Sequence, residues 1–240
     1  MSDAARLARI AYLQKPPGTP YARFPLNQPH YNAVEANRRD AIVGAAFSAT
    51  ASYVEALSGI KSAATSWAII KLYYSSFYSV RALLLCRGVV PFSSGGEMML
   101  DLERRIFLKG GNSSHSWNWD SIRKTSAKDE WFSSQDSQDA YGALRALREN
   151  VNYTHSFPDP VSHRCLAGAV SELEKRFRYY RDDVDFIYTY LDDHLALSYP
   201  TKILFEVDRV IRGLGVKLSP EQSDHLVGMW KFKDRCPMVI

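Results

Sequence analysis

A chain of 240 residues can hold one hydrophobic core and an appendage, and a content of 46% hydrophobic and 23% charged residues is typical of a folded globular protein rather than a disordered one. The formal net charge of +4 is too small to indicate a nucleic-acid-binding protein by itself, although it permits a local basic surface. The 3 cysteines are far apart and form no C-x-x-C pair, which argues against a disulfide framework and a thiolate zinc site.

Residues 1–33 are predicted to form a proline-rich N-terminal arm. Residues 3–14 have the amphipathic spacing of a short helix, and the stretch KPPGTPYARFPLNQPHY that follows is predicted to be loop or extended chain. Asp3, Arg6 and Arg9 interrupt the apolar residues near the start, so this segment does not resemble a secretion signal. Together with the cysteine usage, this favours a cytoplasmic location.

Two long helices are expected next, and the second is the element around which the other helices should pack. The first runs from about Val34 to Leu57, and the short link GIKSA leads to the second, residues 62–88. Apolar and aromatic residues lie on nearly every side of this second helix, which indicates a core position. The cations, tyrosines and serines within it argue against a membrane span. The short link favours antiparallel packing, as at the start of an up-and-down bundle.

Residues 92–134 are predicted to be an irregular insertion with one helical piece, GEMMLDLERRIFLK. Its later part combines basic and aromatic side chains, which suits RNA phosphates and stacked bases. The predicted nucleic-acid-binding residues are Arg123, Lys124, Lys128, Trp117 and Trp119. The alternative is a solvated loop whose tryptophans pack on the core, because charged stretches are usually just surface.

The remaining chain is predicted to be helical. Ser134 and Asp136 are good N-cap candidates for a helix that ends before Pro158, and Pro160 opens another that runs to about Arg181. Residues 186–240 should form a C-terminal helical extension, with a break near Pro200 and a capping box at Ser219 that starts the last helix.

The predicted fold class is therefore all-α, because no segment shows the alternation of a strand. We expect an up-and-down bundle of four or five helices over residues 34–185, interrupted by the insertion at about 92–134. The N-terminal arm precedes this bundle, and the C-terminal extension follows it.

The common enzyme signatures are absent from the sequence. It contains no P-loop, no G-x-G-x-x-G, no H-E-x-x-H, no G-x-S-x-G and no EF-hand loop. The acidic pairs at 182–185 and 192–193 could bind a metal together with His194, but exposed helix charge is the more common role of such residues. The sequence thus predicts no metal and no cofactor.

The candidate catalytic residues are Arg148 and His155, in ALRENVNYTH. If the helix continues, the two side chains lie on one face roughly 10 Å apart along the axis, with Asn150 and Asn152 between them as supporting residues. An imidazole can move a proton near neutral pH, and a guanidinium can hold a phosphate and its developing charge. The same spacing recurs at Arg23 and His30, but in the proline-rich arm, where no helix is expected to align the pair.

The helix AIIKLYYSSFYSVRALL, followed by a helix ending in R-x(4–6)-H, resembles the HEPN superfamily over residues 34–185. This resemblance implies a helical bundle that dimerises and joins two R-x(4–6)-H motifs in one composite site. It also implies that Arg148 binds phosphate and that His155 is catalytic. Glu149 stands where the family often has a small polar residue.

Two functions from different classes follow from the resemblance. The first is a metal-independent endoribonuclease that acts on RNA as a homodimer, a toxic effector of bacterial defence or of a toxin–antitoxin module with a partner protein. The second is a non-catalytic HEPN-like subunit that binds a nucleotide, a nucleic acid or a protein, in which Arg148 and His155 are structural. An unrelated helical bundle is the remaining alternative. None of these functions places the chain in a membrane.

Overall fold

The computed structural model describes residues 2–21, 24–110, 114–125, 134–154, 166 and 173–230. In these residues the chain is mainly α-helical with one small sheet, which confirms the helical prediction at that level. The helices are α1 (Asp3–Leu13), α2 (Gln28–Lys61), α3 (Thr65–Cys86), α4 (Ser114–Thr125), α5 (Gln135–Glu149), α6 (Leu173–Asp182), α7 (Leu195–Gly213) and α8 (Pro220–Met229). The strands are β1 (Val89–Ser93), β2 (Glu97–Asp101) and β3 (Ile106–Lys109). A π-helical turn, Asn150–Thr154, follows α5 directly, and Ile187–Thr189 is a 3₁₀ turn.

The chain forms two compact units. The first unit comprises residues 1–45 and 80–133, and the second comprises residues 46–79 and 134–240. Helices α2 and α3 each contribute one end to each unit. The domain boundaries inferred from the sequence, after residues 33 and 185, remain predictions.

Helix α2 begins earlier than its predicted start at Val34. The Asn27 side chain accepts a hydrogen bond from the backbone N–H of His30 at 3.0 Å, so it caps the new helix. Pro29 is tolerated because a backbone N–H in the first turn of a helix has no intrahelical acceptor, so the N–H that proline lacks is not needed there. The last part of the proline-rich arm is therefore helical and not extended. Among the described helices, α2 is long and apolar enough to cross a membrane by length and composition alone, a property that buried core helices share.

In the second unit, α2 and α3 pack in opposite directions. A Cβ added at Gly59 would lie 3.5 Å from the Cβ of Ala68, and Glu55 forms an ion pair with Lys71 farther along both helices. The antiparallel pairing that the short link predicts is thus present here.

In the first unit, α3 ends before Gly88, whose φ of +74° lies in the left-handed region that favours glycine after a helix. The Arg38 guanidinium also donates a hydrogen bond to the carbonyl of Leu85 at 2.8 Å, which satisfies one of the free carbonyls at this helix end.

The described part of the insertion forms regular structure, and the prediction that the chain contains no strand is wrong. β1, β2 and β3 form an antiparallel sheet in that order, with Val89 opposite Asp101 and Met99 opposite Leu108. The segment GEMMLDLERRIFLK, predicted as a helix, forms β2, β3 and the turn between them. Its apolar runs are short and continuous, a pattern that a buried strand shares with a buried helix segment. Arg105, with φ +57°, lies in the turn that separates the two runs.

The sheet has its own small core within the first unit. The ring of Tyr12 in α1 lies 5.8 Å from the ring of Phe92 and 5.5 Å from that of Phe107. Phe24 stacks on Phe107 at 6.0 Å. The N-terminal arm and the insertion therefore pack together, because their aromatic residues bury one another.

In the second unit, α7 continues through Pro200, where a break was expected. Proline removes one hydrogen bond near the start of a helix, but the residues beside it, Tyr199 and Thr201, are fully or almost fully buried. The stabilisation from burying this face of α7 exceeds the cost of the lost hydrogen bond. The interruption of helical structure lies earlier in the chain, between α6 and α7. The capping box of Ser219 and Gln222 at the start of α8 is present as predicted.

We predict that two glycine-to-alanine substitutions have opposite effects on the free energy of unfolding. A Cβ at Gly110 would lie 2.5 Å from the Trp117 ring and 2.6 Å from the Glu97 carbonyl oxygen, so Gly110→Ala should destabilise the protein by about 1–3 kcal/mol. Gly44 is inside α2 with no atom within 4 Å of such a Cβ, so Gly44→Ala should stabilise by about 0.5–1 kcal/mol. Urea unfolding measures both changes, and a Gly110→Ala protein that is as stable as the wild type would contradict the packing at Gly110.

Candidate functional site

The structure places most of the predicted site residues on two helices and one turn. Arg148 lies in the last turn of α5, Asn150 and Asn152 lie in the π-helical turn, and Trp117, Trp119, Arg123 and Lys124 lie in α4. His155 and Lys128 lie outside the described residues. The site is therefore built here from Arg148 and its surroundings.

Arg148 continues the buried face of α5. Ser134 caps the helix as predicted, accepting a hydrogen bond from the N–H of Ser137 at 3.2 Å. From there, Ala140, Leu144 and Arg148 follow one another at intervals of four residues and are all buried. The guanidinium is consequently directed inward, and only 9% of Arg148 is exposed.

The Arg148 guanidinium lies among tyrosine rings. Its Nη2 donates a hydrogen bond to the Tyr74 hydroxyl at 3.2 Å. Its Cζ lies 5.6 Å from the ring centre of Tyr73, 5.7 Å from that of Tyr74 and 5.6 Å from that of Tyr153. Tyr73 is itself held by a hydrogen bond between its hydroxyl and that of Tyr141, at 3.2 Å. These cation–π contacts stabilise the buried cation, and none of the described residues places a carboxylate beside it.

The charge of Arg148 persists in this environment. Burial acts to lower the pKa of Arg148, but the hydrogen bond to Tyr74 and the electrostatic effect of the surrounding tyrosines outweigh it, so the pKa is raised. Burial also raises the pKa of Tyr73 to about 12, which keeps that hydroxyl protonated near neutral pH. The Nε of Arg148 is buried and has no hydrogen-bond partner among the described residues. A buried donor on a permanent cation favours an anionic acceptor.

The π-helical turn decides which residue lies beside Arg148. In an α-helix the residue four positions on, Asn152, would lie above Arg148, as the sequence predicts. In a π-helix the bond runs from residue i to i+5, so Tyr153 takes that place. Asn150 and Asn152 are both exposed. The sequence shows no signal for the π-turn, and the role of Tyr153 was therefore missed.

Sequence reasoning also missed the tyrosines of α3 as site residues, although the presence of three tyrosines in one core helix could have indicated them. Tyr74 and Tyr78 are half-buried, and their rings stack at 6.1 Å, while Tyr73 is fully buried. Tyrosines need partners for their hydroxyls inside a protein, so three of them on one core helix indicate a polar neighbour. That neighbour is Arg148 for Tyr74 and Tyr141 for Tyr73.

The predicted base-stacking role of Trp117 and Trp119 disagrees with their placement. Trp117 is 6% exposed and Trp119 is 2% exposed, so neither presents a ring face to a nucleotide. The alternative drawn from the sequence, tryptophans that hold the insertion on a core, agrees with this burial. Arg123 and Lys124 lie in the last turn of α4, where cations interact favourably with the helix dipole.

A second cluster of polar aromatic residues surrounds His194. The Tyr180 hydroxyl and the His194 Nδ1 share a hydrogen bond of 2.8 Å, and the Tyr188 ring lies 5.0 Å from the imidazole. His194 is 7% exposed, so it is not the exposed helix residue that the sequence suggested. Within the described residues, no three side chains of His, Cys, Asp or Glu are arranged to hold a metal ion.

The second unit also contains a cavity of about 500 Å³ between α2, α7 and the start of α8. Its walls are mainly apolar, with Leu204, Val207 and Ile211 on α7, and Lys217 and Ser223 line it as well. None of its lining residues belongs to the Arg148 cluster.

Comparison of the chain with protein-family models, with curated proteins and with solved structures found no match. The chemistry of the Arg148 cluster therefore has to come from its own residues. It combines a fixed positive charge, a buried N–H that no described residue accepts from and an exposed aromatic ring, which are the groups that bind a phosphate next to a base.

We predict that stability decreases below about pH 6.5 because of His194. Burial lowers the pKa of His194; Asp193 opposes this shift and Arg176 adds to it. The unfolded state then binds a proton more readily than the folded state, so acid favours unfolding. His194→Gln keeps a hydrogen-bonding group for Tyr180 and does not titrate.

The measurement is urea unfolding at about pH 7.5 and pH 5.5. Wild type should lose more unfolding free energy between these pH values than His194→Gln does. Equal losses in the two proteins would show that His194 is not the titrating group.

Proposed function

We propose that this chain is a metal-independent endoribonuclease of the HEPN type that acts as a homodimer with a composite Arg148/His155 site. The observation that carries the proposal is the buried Arg148 guanidinium, which lies between tyrosine rings and whose Nε has no hydrogen-bond partner in the described part of the chain. The proposed fold is an up-and-down bundle of four or five helices. The antiparallel pairing of α2 with α3 in the second unit supports it, as does the contact of Arg148 in α5 with Tyr74 in α3.

In this proposal Arg148 binds the scissile phosphate. Its Nε and the rest of the planar fork match two oxygens of a phosphate, and its charge stabilises the charge that develops during cleavage. His155 takes the proton from the ribose 2′-hydroxyl or gives one to the leaving oxygen. Transesterification needs an acid and a base together, and a two-fold dimer supplies two imidazoles. Such an enzyme suits a cytoplasmic toxic effector of bacterial defence, or a toxin that an antitoxin protein restrains.

A second candidate function is a non-catalytic subunit of the same fold that binds a nucleotide, a nucleic acid or a protein. One specific observation favours it, because only 9% of Arg148 is exposed. In that case the guanidinium joins α5 to α3 through Tyr73 and Tyr74 and has a structural role. Mutation of Arg148 separates the two functions, since a structural residue affects stability and a catalytic one affects the rate.

We predict that Arg148→Lys and His155→Ala each reduce RNA cleavage by roughly 10²-fold or more while the protein remains folded. Lysine keeps the charge and most of the volume at position 148 but lacks the Nε and the planar fork. Cleavage of a labelled RNA measures the rate, and the thermal midpoint measures the fold.

Arg145→Ala is the matched control, because Arg145 lies on the same helix and its Nε is 3.6 Å from Glu149. It should leave cleavage near the wild-type rate. Light scattering should find dimers for wild type and all three variants, so that lost activity can be assigned to the site. Unchanged cleavage in Arg148→Lys, or an unfolded His155→Ala protein, would favour the non-catalytic subunit.

We further predict that the products have a 2′,3′-cyclic phosphate and a 5′-hydroxyl. In the proposed mechanism His155 takes the proton of the ribose 2′-hydroxyl, so this hydroxyl is the attacking group. DNA lacks that group and should remain intact, and cleavage should continue in EDTA. Product ends are mapped after incubation with RNA and with DNA of the same sequence. Cleavage of both nucleic acids, or loss of activity with EDTA, would contradict this mechanism.

A further inference from the structure

Tyr153 combines exposure to solvent with a contact to a buried cation. It is 76% exposed, and its ring lies 5.6 Å from the Cζ of Arg148. The ring thus lies over a cation with most of its surface open to solvent. The ring is therefore held in place on one side and free to receive a ligand on the other.

The backbone produces this arrangement. π-Helical turns are rare, and they are frequently found at functional sites. The turn at Asn150–Thr154 exchanges Asn152 for Tyr153 beside Arg148. An α-helical continuation would place an amide near the guanidinium and turn the aromatic ring away. The rare geometry thus brings together a ring face and the Arg148 guanidinium, whose Nε forms no hydrogen bond with any described residue.

We propose that Tyr153 is a stacking platform for one unpaired nucleobase, next to the phosphate that Arg148 binds. This inference rests on the proposed function for the identity of the phosphate, and it specifies the substrate of that site. A base inside a duplex has both faces covered by its neighbours, so the platform takes only a base in a single strand, a loop or an end. Stacking is tolerant of base identity, so Tyr153 contributes affinity and not sequence preference.

The test uses a fluorescently labelled single-stranded DNA oligonucleotide, which has the bases and phosphates but lacks the 2′-hydroxyl and cannot be cleaved by the proposed route. Binding to the full chain is measured by fluorescence anisotropy, beside a duplex of the same sequence. Tyr153→Phe keeps the ring, and Tyr153→Leu removes it. Tyr179→Ala is the matched control, because Tyr179 is also exposed and lies 5.7 Å from a guanidinium, that of Arg176.

We expect the wild type to bind the single strand more tightly than the duplex. Tyr153→Phe and Tyr179→Ala should bind the single strand as the wild type does, and Tyr153→Leu should bind it roughly 5- to 150-fold more weakly. In RNA cleavage, Tyr153→Leu should raise KM with little change in kcat. If Tyr153→Leu does not fold, Tyr153→Ala repeats the test at this exposed position.

The outcomes separate the platform from the ribonuclease. Ring-dependent binding of the oligonucleotide without any RNA cleavage would support the platform and overturn the proposed enzyme. RNA cleavage with equal affinity and equal KM in wild type and Tyr153→Leu would overturn the platform alone. The platform is also overturned if no oligonucleotide binds, if Tyr153→Phe loses as much affinity as Tyr153→Leu, or if Tyr179→Ala does.

Discussion

Burial of α3 is the constraint on which the rest of the structure depends. Leu72 and Tyr73 in the second unit and Val80 and Leu84 in the first are all without exposed surface. A helix that is apolar on nearly every side has to be covered on nearly every side, so each unit is built around one end of it. In the first unit the guanidinium of Arg38 completes this cover by capping the end of the helix.

The tyrosines of α3 turn this packing constraint into a chemical site. A buried hydroxyl requires a partner, and a buried cation requires compensation. Tyr74 and Arg148 meet both requirements through one hydrogen bond, and the rings of Tyr73 and Tyr153 supply the remaining electrostatic stabilisation. The guanidinium therefore stays charged and oriented, while its Nε remains without a partner among the described residues. The same contacts are consistent with a structural arginine. Mutation of a catalytic Arg148 lowers the cleavage rate, whereas mutation of a structural Arg148 lowers the stability of the protein.

The described side chains of the insertion mainly pack within the first unit, and few of them are placed to form a binding surface. Its tryptophans are buried, and Arg105 contacts α2, donating to the Gln28 side chain at 2.8 Å and lying 4.4 Å from the ring centre of Tyr31. Basic residues in this segment thus have structural partners. Aromatic and basic composition alone does not separate a nucleic-acid-binding loop from a small folded unit, because both use the same side chains.

The sequence by itself identified Arg148 as a candidate, from the R-x(4–6)-H spacing and the chemistry of a guanidinium. It also determined the helical class, the central position of α3 and the capping box at Ser219. These follow from periodicity and capping, which are local properties of the chain. The tertiary structure alone decided that GEMMLDLERRIFLK forms two strands, because short apolar runs fit either a strand or a helix until their neighbours are known. It also decided that α7 continues through Pro200, where burial outweighs one lost hydrogen bond. Finally, it decided that Tyr153 and not Asn152 lies beside Arg148, because a π-turn depends on packing around the helix end and has no signature in the residues that form it.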